Sequence, residues 1–245
     1  MLTPARRRGH EILDDPSVDP ALSERSLRDI ALANRMFGGR RAILREVRRS
    51  LHAAAADGRT LLDIGTGLGD IPHAAEQMVR DAHRRRHGAG TSGGILHTIG
   101  LEVSTALARV AHRKCRWAVT GDGTALPFAD HSIDIVTCSQ VLHHFDDRPA
   151  EALLRECHRV ARHAVVIGDL RRSWLAIGGL WLSSFALGFH PVSRHDGVVS
   201  IRRGYTRREL ARLIERAVGV RPVVRHSLGW RVTACWSPDR SLALT

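Results

Sequence analysis

Four groups of residues in this chain combine type and spacing in a way that could do chemistry. The first is Leu61-Leu62-Asp63-Ile64-Gly65-Thr66-Gly67-Leu68-Gly69-Asp70. A short apolar run ends in an acid, and three glycines then alternate with other residues before a helical pattern begins. Glycines let backbone approach a ligand where side chains would block it. The start of the helix supplies unpaired N–H groups. A carboxylate at Asp63 suits a ligand carrying an ammonium group and opposes a pyrophosphate. The spacing D-x-G-x-G-x-G also departs from the dinucleotide pattern G-x-G-x-x-G. The second group is Glu102, ending Ile99-Gly100-Leu101-Glu102, where an acid can accept both hydroxyls of a ribose. It lies 39 positions after Asp63, further than the usual ~20, and a long loop over 84–94 accounts for much of the excess. The third is Gly121-Asp122-Gly123-Thr124, whose acid could accept from an exocyclic amine. The fourth is Ser139-Gln140-Val141-Leu142-His143-His144-Phe145, with two candidate bases near neutrality.

Each group needs an element to hold it, and the hydrophobic pattern supplies one. Short apolar runs at 60–64, 95–101, 116–120, 133–139 and 164–168 read as strands. Helical spacing appears between them, at 71–82, at 105–112 behind Ser104, and at 149–162. Strand and helix alternate, so the fold class is α/β, with a parallel sheet covered on both faces. The four chemical groups then fall at the ends of strands one to four.

Before the first strand, residues 1–18 carry clustered charge and proline and read as a frayed arm. Asp19-Pro20 is a helix start, an N-cap acceptor followed by proline. That helix runs to Gly38-Gly39, and a second follows with Ile43, Leu44, Val47 and Leu51 on one face. After the fifth strand, residues 174–189 carry no charge and are flanked by Arg171, Arg172, His190, Arg194 and His195. Sixteen residues fall short of the ~20 that span a bilayer. This stretch reads as an apolar lid over a greasy acceptor, with an ordinary core helix as the rival reading. A helix at 206–217 and strands at 222–226 and 231–236 around Ser227-Leu228-Gly229 complete the chain.

Composition narrows the class. The 245 residues carry a net charge of +12 and 43% hydrophobic residues, which rules out a mostly disordered basic tail. Lys114 is the only lysine, and the arginines are scattered as pairs and triplets, so the charge does not form a groove-sized stripe for nucleic acid. Cys115, Cys138, Cys157 and Cys235 show neither a C-x-x-C pair nor zinc-site spacing. Reduced, buried thiols and no metal are expected. No apolar run follows the basic start, so no secretory signal is expected.

The four groups, in this order at strand ends, resemble the class I S-adenosylmethionine-dependent methyltransferases over about residues 58–236. Gly121 to Phe128, Asp130 to Asp134, Val141 to Phe145 and Ser200 to Leu210 resemble the UbiE-type quinone and natural-product subgroup. The resemblance implies a Rossmann-like seven-stranded sheet of order 3-2-1-4-5-7-6. It implies residues 1–57 as arm and helical cap, 58–245 as the methyltransferase domain, and a substrate-cap insert at about 170–204. Carried over, Asp63, Gly65, Thr66 and Gly67 would hold the methionyl part of S-adenosylmethionine and Glu102 the ribose. Asp122 and Gly123 would read adenine, Val103 would pack on its ring, and Ser139 and Gln140 would line the methyl channel. The two N-terminal helices would be lid, with Asn34, Arg28 and Arg35 turned to the pocket.

Methyl transfer to a phenolic oxygen gains from a base. His144 and then His143 are the candidates, with His195 beside Asp196 as a third. Asp146 and Asp147 read as helix caps. The expected activity is methylation of a small apolar aromatic or lipid-like acceptor, phenolic, quinone or polyketide-like, with oxygen favoured over a ring carbon. A cytoplasmic enzyme touching the membrane surface through 174–189 fits this picture. An RNA methyltransferase is disfavoured. The turn after strand four lacks N/D-P-P-Y/F, and Tyr205 is the only tyrosine available for stacking. A nicotinamide oxidoreductase is disfavoured by Asp63. A cofactor-binding protein without catalysis is the remaining alternative.

Overall fold

Seven strands form one sheet in the order β3-β2-β1-β4-β5-β7-β6, as the family resemblance implies. The computed structural model describes residues 3–7, 9–15, 17–52, 59–88, 93–227 and 229–239. The strands are β1 (Arg59–Ile64), β2 (Leu96–Glu102), β3 (Trp117–Thr120), β4 (Ile133–Ser139), β5 (Ala161–Leu170), β6 (Val223–Ser227) and β7 (Arg231–Trp236). The helices are α1 (Pro20–Met36), α2 (Gly39–His52), α3 (Asp70–His87), α4 (Thr105–Ala111), α5 (Asp147–Val160), α6 (Trp174–Ala186), α7 (Pro191–Arg203) and α8 (Arg207–Val218). The first five strands pair in parallel, and β7 runs antiparallel to both β5 and β6. Parallel register puts Asp63 level with Gly100 and Thr137, and Glu102 level with Thr120. The carboxyl ends of β1 to β4 therefore share one edge. Between β1 and β4 the strand order reverses, the place where open α/β sheets bind ligands.

Both faces of the sheet are covered. On one, Ile43 and Val47 of α2 and Ile71 and Ala75 of α3 pack on Leu61, Ile135 and Val166. On the other, Leu153, Leu154 and Cys157 of α5 and Leu210, Leu213 and Ile214 of α8 pack on Leu62, Val136 and Val165. Thr206 and Glu209 close a reciprocal capping box at the start of α8. All four cysteines are buried and free.

The structure departs from the sequence-based expectation in four places. The described part of the arm is not frayed, because its charges find partners on α7. Arg203 donates to the Gly9 carbonyl and to Glu11 and Asp14, while Asp196 accepts from the backbone N–H groups of Ile12 and Leu13. Arg6 lies 4.1 Å over the Tyr205 ring. The helical segment predicted at 149–162 ends at Val160, and Ala161 and Arg162 open β5, which also runs on to Leu170. Edge residues of an amphipathic helix and an adjoining strand share one apolar signal, so the boundary is not legible locally. Residues 84–87 of the predicted loop continue α3, and residues 89–92 lie outside the described ones. Finally, the two N-terminal helices divide their roles. Helix α2 is core, with Val47 fully buried on the sheet, whereas α1 lines the cavity described below.

The insert is a helical pair. Ala176 of α6 packs with Leu170 and Ile201, and α7 lies between α6 and the arm. The opposite side of α6 is bare: Trp174, Leu175, Trp181, Leu182 and Phe185 are each about half exposed or more. Helix α6 thus buries one face and leaves the other bare. Among the described residues no helix is long and apolar enough to cross a membrane.

Candidate functional site

A cavity of about 650 Å³ opens over the carboxyl edge of β1 to β4 and beneath α1, α6, α7 and the arm. Its volume lies within the range of small-molecule and cofactor sites. The sequence-predicted Asp63, Gly65, Thr66, Gly67, Glu102, Val103, Asp122, Gly123, Ser139, Gln140, His143 and His144 all line it.

At the β1 end, Gly65 has φ +64° and Gly67 φ +56°. A Cβ on Gly65 would stand 2.3 Å from Val141 Cγ2, so only glycine fits between the turn and the loop after β4. Asp63 is 2% exposed and accepts a hydrogen bond from Thr137 Oγ1 at 2.7 Å. Burial away from water pushes its carboxyl up to about 7, against the pull of its hydrogen bonds. Glu102 is also buried, which raises its pKa, and it accepts from the Gly67 N–H. This carboxylate is thus tied to the glycine turn and to the main chain of Val103. Asp122 is exposed and caps its own turn by accepting from the Thr124 N–H at 2.8 Å. Val103, 78% exposed, offers an apolar surface beside it. Gln140 has φ +58°, a conformation that costs a non-glycine residue ~1–2 kcal/mol. Its N–H is held by the Gly168 carbonyl at 2.8 Å.

At the β4–β5 end the two histidines separate. His143 is buried, with Nδ1 2.6 Å from Asp169 Oδ1 and its backbone N–H donating to Asp169 Oδ2. Both oxygens of one carboxylate thus fix the ring and its main chain. Nε2 of His143 has no hydrogen-bond partner and lies 3.9 Å from Glu11 Oε1. Tyr205 steadies this turn by donating to the Leu142 carbonyl. His144 sits at the rim, 3.0 Å from Asp14 Oδ1. Partial burial would lower its pKa, but the Asp14 hydrogen bond and the charges of Glu11, Asp14 and Asp169 outweigh this and raise it. A raised pKa favours the imidazolium form of His144. His195 is exposed and absent from the lining, and its neighbour Asp196 is occupied in latching the arm. Arg28 pairs with Glu24 at the surface and Arg35 is exposed, while Asn34 does line the cavity. Asp146 takes the N-cap position of α5 without a side-chain cap bond.

Glu11, His143 and His144 offer ligand atoms within 4.8 Å of one another, the spacing of a metal site. Arg203 Nη1, however, stands 3.0 Å from Glu11 Oε1 and 2.9 Å from Asp14 Oδ2. A guanidinium already supplies the positive charge there and repels a divalent ion, so these residues do not fit a metal.

Sequence reading missed Asp169, Glu11 and Arg231. Asp169 carries the one local signal that could have found it, an acid just past an apolar strand. Glu11 and Arg231 carry none.

Comparison with known proteins adds a second line. Residues 62–167 match the methyltransferase domain family. An uncharacterized methyltransferase of Mycobacterium avium is 32% identical over 155 residues, 63% of this chain and 50% of that protein. A demethylmenaquinone methyltransferase of Roseiflexus castenholzii is 34% identical over 113 residues, 46% of this chain and 42% of that protein. The chain thus spans about half the length of the curated relatives it matches. A solved SAM-dependent methyltransferase of Thermotoga maritima superposes with TM-score 0.55 at 16% identity, covering 89% of this chain and 99% of that one. Residues 62–167, which match the methyltransferase domain family, hold the strand-end acids and both cavity histidines, and the chain shares the fold of a solved SAM-dependent methyltransferase over 89% of its length.

Proposed function

We propose that this protein transfers the methyl group of S-adenosylmethionine to an oxygen of a small apolar aromatic acceptor, phenolic, quinone or polyketide-like. The observation that carries the reading is the His143–Asp169 pair at the acceptor end of a cavity whose other end is built of Asp63 and Glu102. Asp63, with the glycine turn, would take the methionyl ammonium, Glu102 the ribose, and Asp122 with Val103 the adenine. Ser139 and Gln140 would flank the sulfonium. The sulfonium supplies an electrophilic carbon and a good leaving group. The protein then has to align the acceptor, exclude water and hold its proton. Asp169 accepts the Nδ1 proton of His143, which leaves Nε2 as the acceptor of the phenolic proton. The demethylmenaquinone methyltransferase of Roseiflexus castenholzii supports a quinone-type acceptor, and ring-carbon methylation is the second reading.

Calorimetry with S-adenosylmethionine, S-adenosylhomocysteine and NAD tests the cofactor. Both sulfur compounds should bind and NAD should not, and the reverse would overturn the reading. The pH dependence has a defined sign. Burial pushes the Asp63 carboxyl up to about 7, and an ammonium pairs with its ionised form. Affinity for S-adenosylhomocysteine should therefore level off about a unit above pH 7 and fall below pH 7 toward about tenfold per unit. Asp63→Asn should flatten that slope, and an unchanged slope would remove Asp63 as the ammonium partner.

The bare face of α6 is part of the same proposal. Residues 174, 178, 181 and 185, with 175 and 182, repeat at helical spacing and make an apolar stripe on the outer side. The inner side is apolar too, since Ala176, Gly179 and Leu180 line the cavity. A helix apolar all round wants apolar surroundings on every side. From residue 170 to residue 195 there is no acid. Arg194 lies 3.5 Å over the Phe185 ring and Arg202 5.8 Å over Trp174, so positive charge frames the stripe. An anionic bilayer surface complements both features. Flotation should show binding to phosphatidylglycerol-containing vesicles at low salt and weak binding to phosphatidylcholine alone. Substituting Trp181→Glu and Leu182→Glu together should lower the partition at least tenfold. No flotation, or a stable dimer abolished by the same substitutions, would defeat the membrane assignment.

A further inference from the structure

Arg231 is the buried charge that neither the cofactor nor the base explains. It opens β7, is 8% exposed and lines the cavity. The only hydrogen bond of its side chain among the described residues is from Nη2 to Asn34 Oδ1 at 3.2 Å, and Asn34 is equally buried in the same lining. Nε of Arg231 has no partner. Among the described residues no carboxylate forms an ion pair with this guanidinium, in contrast to Arg172, which is matched by Glu209 at 2.8 Å, and to Arg203. The closest acid in effect is Asp169, whose oxygens are already spent on His143 and on the main chain of His143 and Leu170. Burial pulls the Arg231 pKa down to about 10, with Asp169 only partly opposing it. A guanidinium offers five donors in a fork that fits a carboxylate. Leaving such a group dry and unpaired is costly, and the cost is removed when an anion arrives.

Position decides whose anion this is. Arg231 pairs with Leu170 in register, one residue beyond Asp169, so it stands at the β5 end of the cavity with His143. Strand β1, which carries Asp63, is three strands away through β4 and β5. At ~4.8 Å per strand that is roughly 14 Å. The carboxylate of the methionyl group belongs near β1, and the acceptor belongs near β5.

We infer that Arg231 and Asn34 form an anion subsite for the acceptor, so the acceptor is an aromatic compound carrying a carboxylate beside the hydroxyl that is methylated. This rests on the methyltransferase reading above, which assigns the β5 end to the acceptor. Asn34 holds the guanidinium fork in place by its amide oxygen. The carboxylate anchors the ring, and the neighbouring hydroxyl is presented to Nε2 of His143.

The test uses the full chain saturated with S-adenosylhomocysteine. It is titrated calorimetrically with acetate, benzoate, salicylate, 4-hydroxybenzoate and 1-hydroxy-2-naphthoate, and with the matched amides. At least one hydroxyaromatic carboxylate should bind about tenfold tighter than its amide. Arg231→Met should abolish that preference, Arg231→Lys should retain part of it, and S-adenosylhomocysteine should bind each variant within twofold of wild type. Absence of any Arg231-dependent carboxylate binding overturns the subsite. Loss of S-adenosylhomocysteine affinity in Arg231→Met, in a variant that melts like wild type, also overturns it by assigning the anion to the cofactor. Failure of the wild type to bind S-adenosylhomocysteine is a different outcome, which overturns the methyltransferase reading together with the inference built on it.

Discussion

Replacing His143 by alanine should lower turnover by about 10²- to 10⁴-fold, the usual share of a positioned base, and leave S-adenosylhomocysteine affinity unchanged. The size of the effect follows from how completely the ring is fixed. Asp169 accepts from Nδ1 at 2.6 Å and from the His143 main chain at 3.0 Å, so the tautomer with a bare Nε2 is the favoured one. Asp169→Asn should cost nearly as much as His143→Ala. An asparagine can present its amide hydrogens to Nδ1, which moves the ring proton to Nε2 and removes the basic site. Asp169 acts through His143, so its signature is a lost acidic limb in the pH profile of kcat with KM retained. His144→Ala should cost less than tenfold, because the Asp14 contact keeps that ring at the rim and favours its protonated form. Wild-type turnover in His143→Ala would show that no base is needed at this site and would favour the ring-carbon reading.

Gly229→Ala should destabilise the protein by about 3 kcal/mol or more, a loss at the large end for a single substitution. Two terms add. Gly229 has φ +73°, which costs an L-residue ~1–2 kcal/mol. Its added Cβ would also stand 1.8 Å from the Phe37 carbonyl oxygen, a backbone atom that cannot swing aside. Relief requires the α1–α2 corner to leave the β6–β7 hairpin, which opens the cavity wall formed by Phe37, Gly229 and Trp230. Gly219→Ala is the matched control. Its φ is +68°, yet nothing lies within 4 Å of its Cβ. It should lose only the conformational term. At ~2–4 °C per kcal/mol for a chain of this size, thermal melts should show Gly229→Ala falling about 6–12 °C or more and Gly219→Ala falling at most about two thirds as far. Equal shifts would show that the corner gives way freely.

The strand-end acids were legible because their signals are local. Asp63 stands directly between an apolar run and a glycine turn, and Glu102 directly at the end of the next run. A few adjacent residues suffice to say that a strand stops there, and a parallel sheet puts every such stop on one edge. The helix starts were legible for the same reason: Asp19, Ser104 and Thr206 each cap a backbone N–H two or three residues on. The choice between His143 and His144 was not legible, since the two are neighbours of one type. Asp169 separates them, and it arrives from 26 residues downstream because β5 lies beside β4.

The arm shows the same limit. Charge and proline at 1–18 resemble an unstructured segment, and the arm is ordered by ion pairs with Arg203 and by Asp196 on α7, nearly 190 residues away. The pairing of Arg231 with Asn34 spans 197 residues. The sequence by itself determined the order of strands and helices and the acids at the strand ends. Those depend on periodicity and turn chemistry within a few residues. The tertiary structure alone decided which histidine is oriented, what roofs the cavity and which buried cation has no ion pair among the described residues. Those depend on burial and on partners brought together by the sheet order β4-β5-β7, and no local window of sequence contains both sides of such a contact.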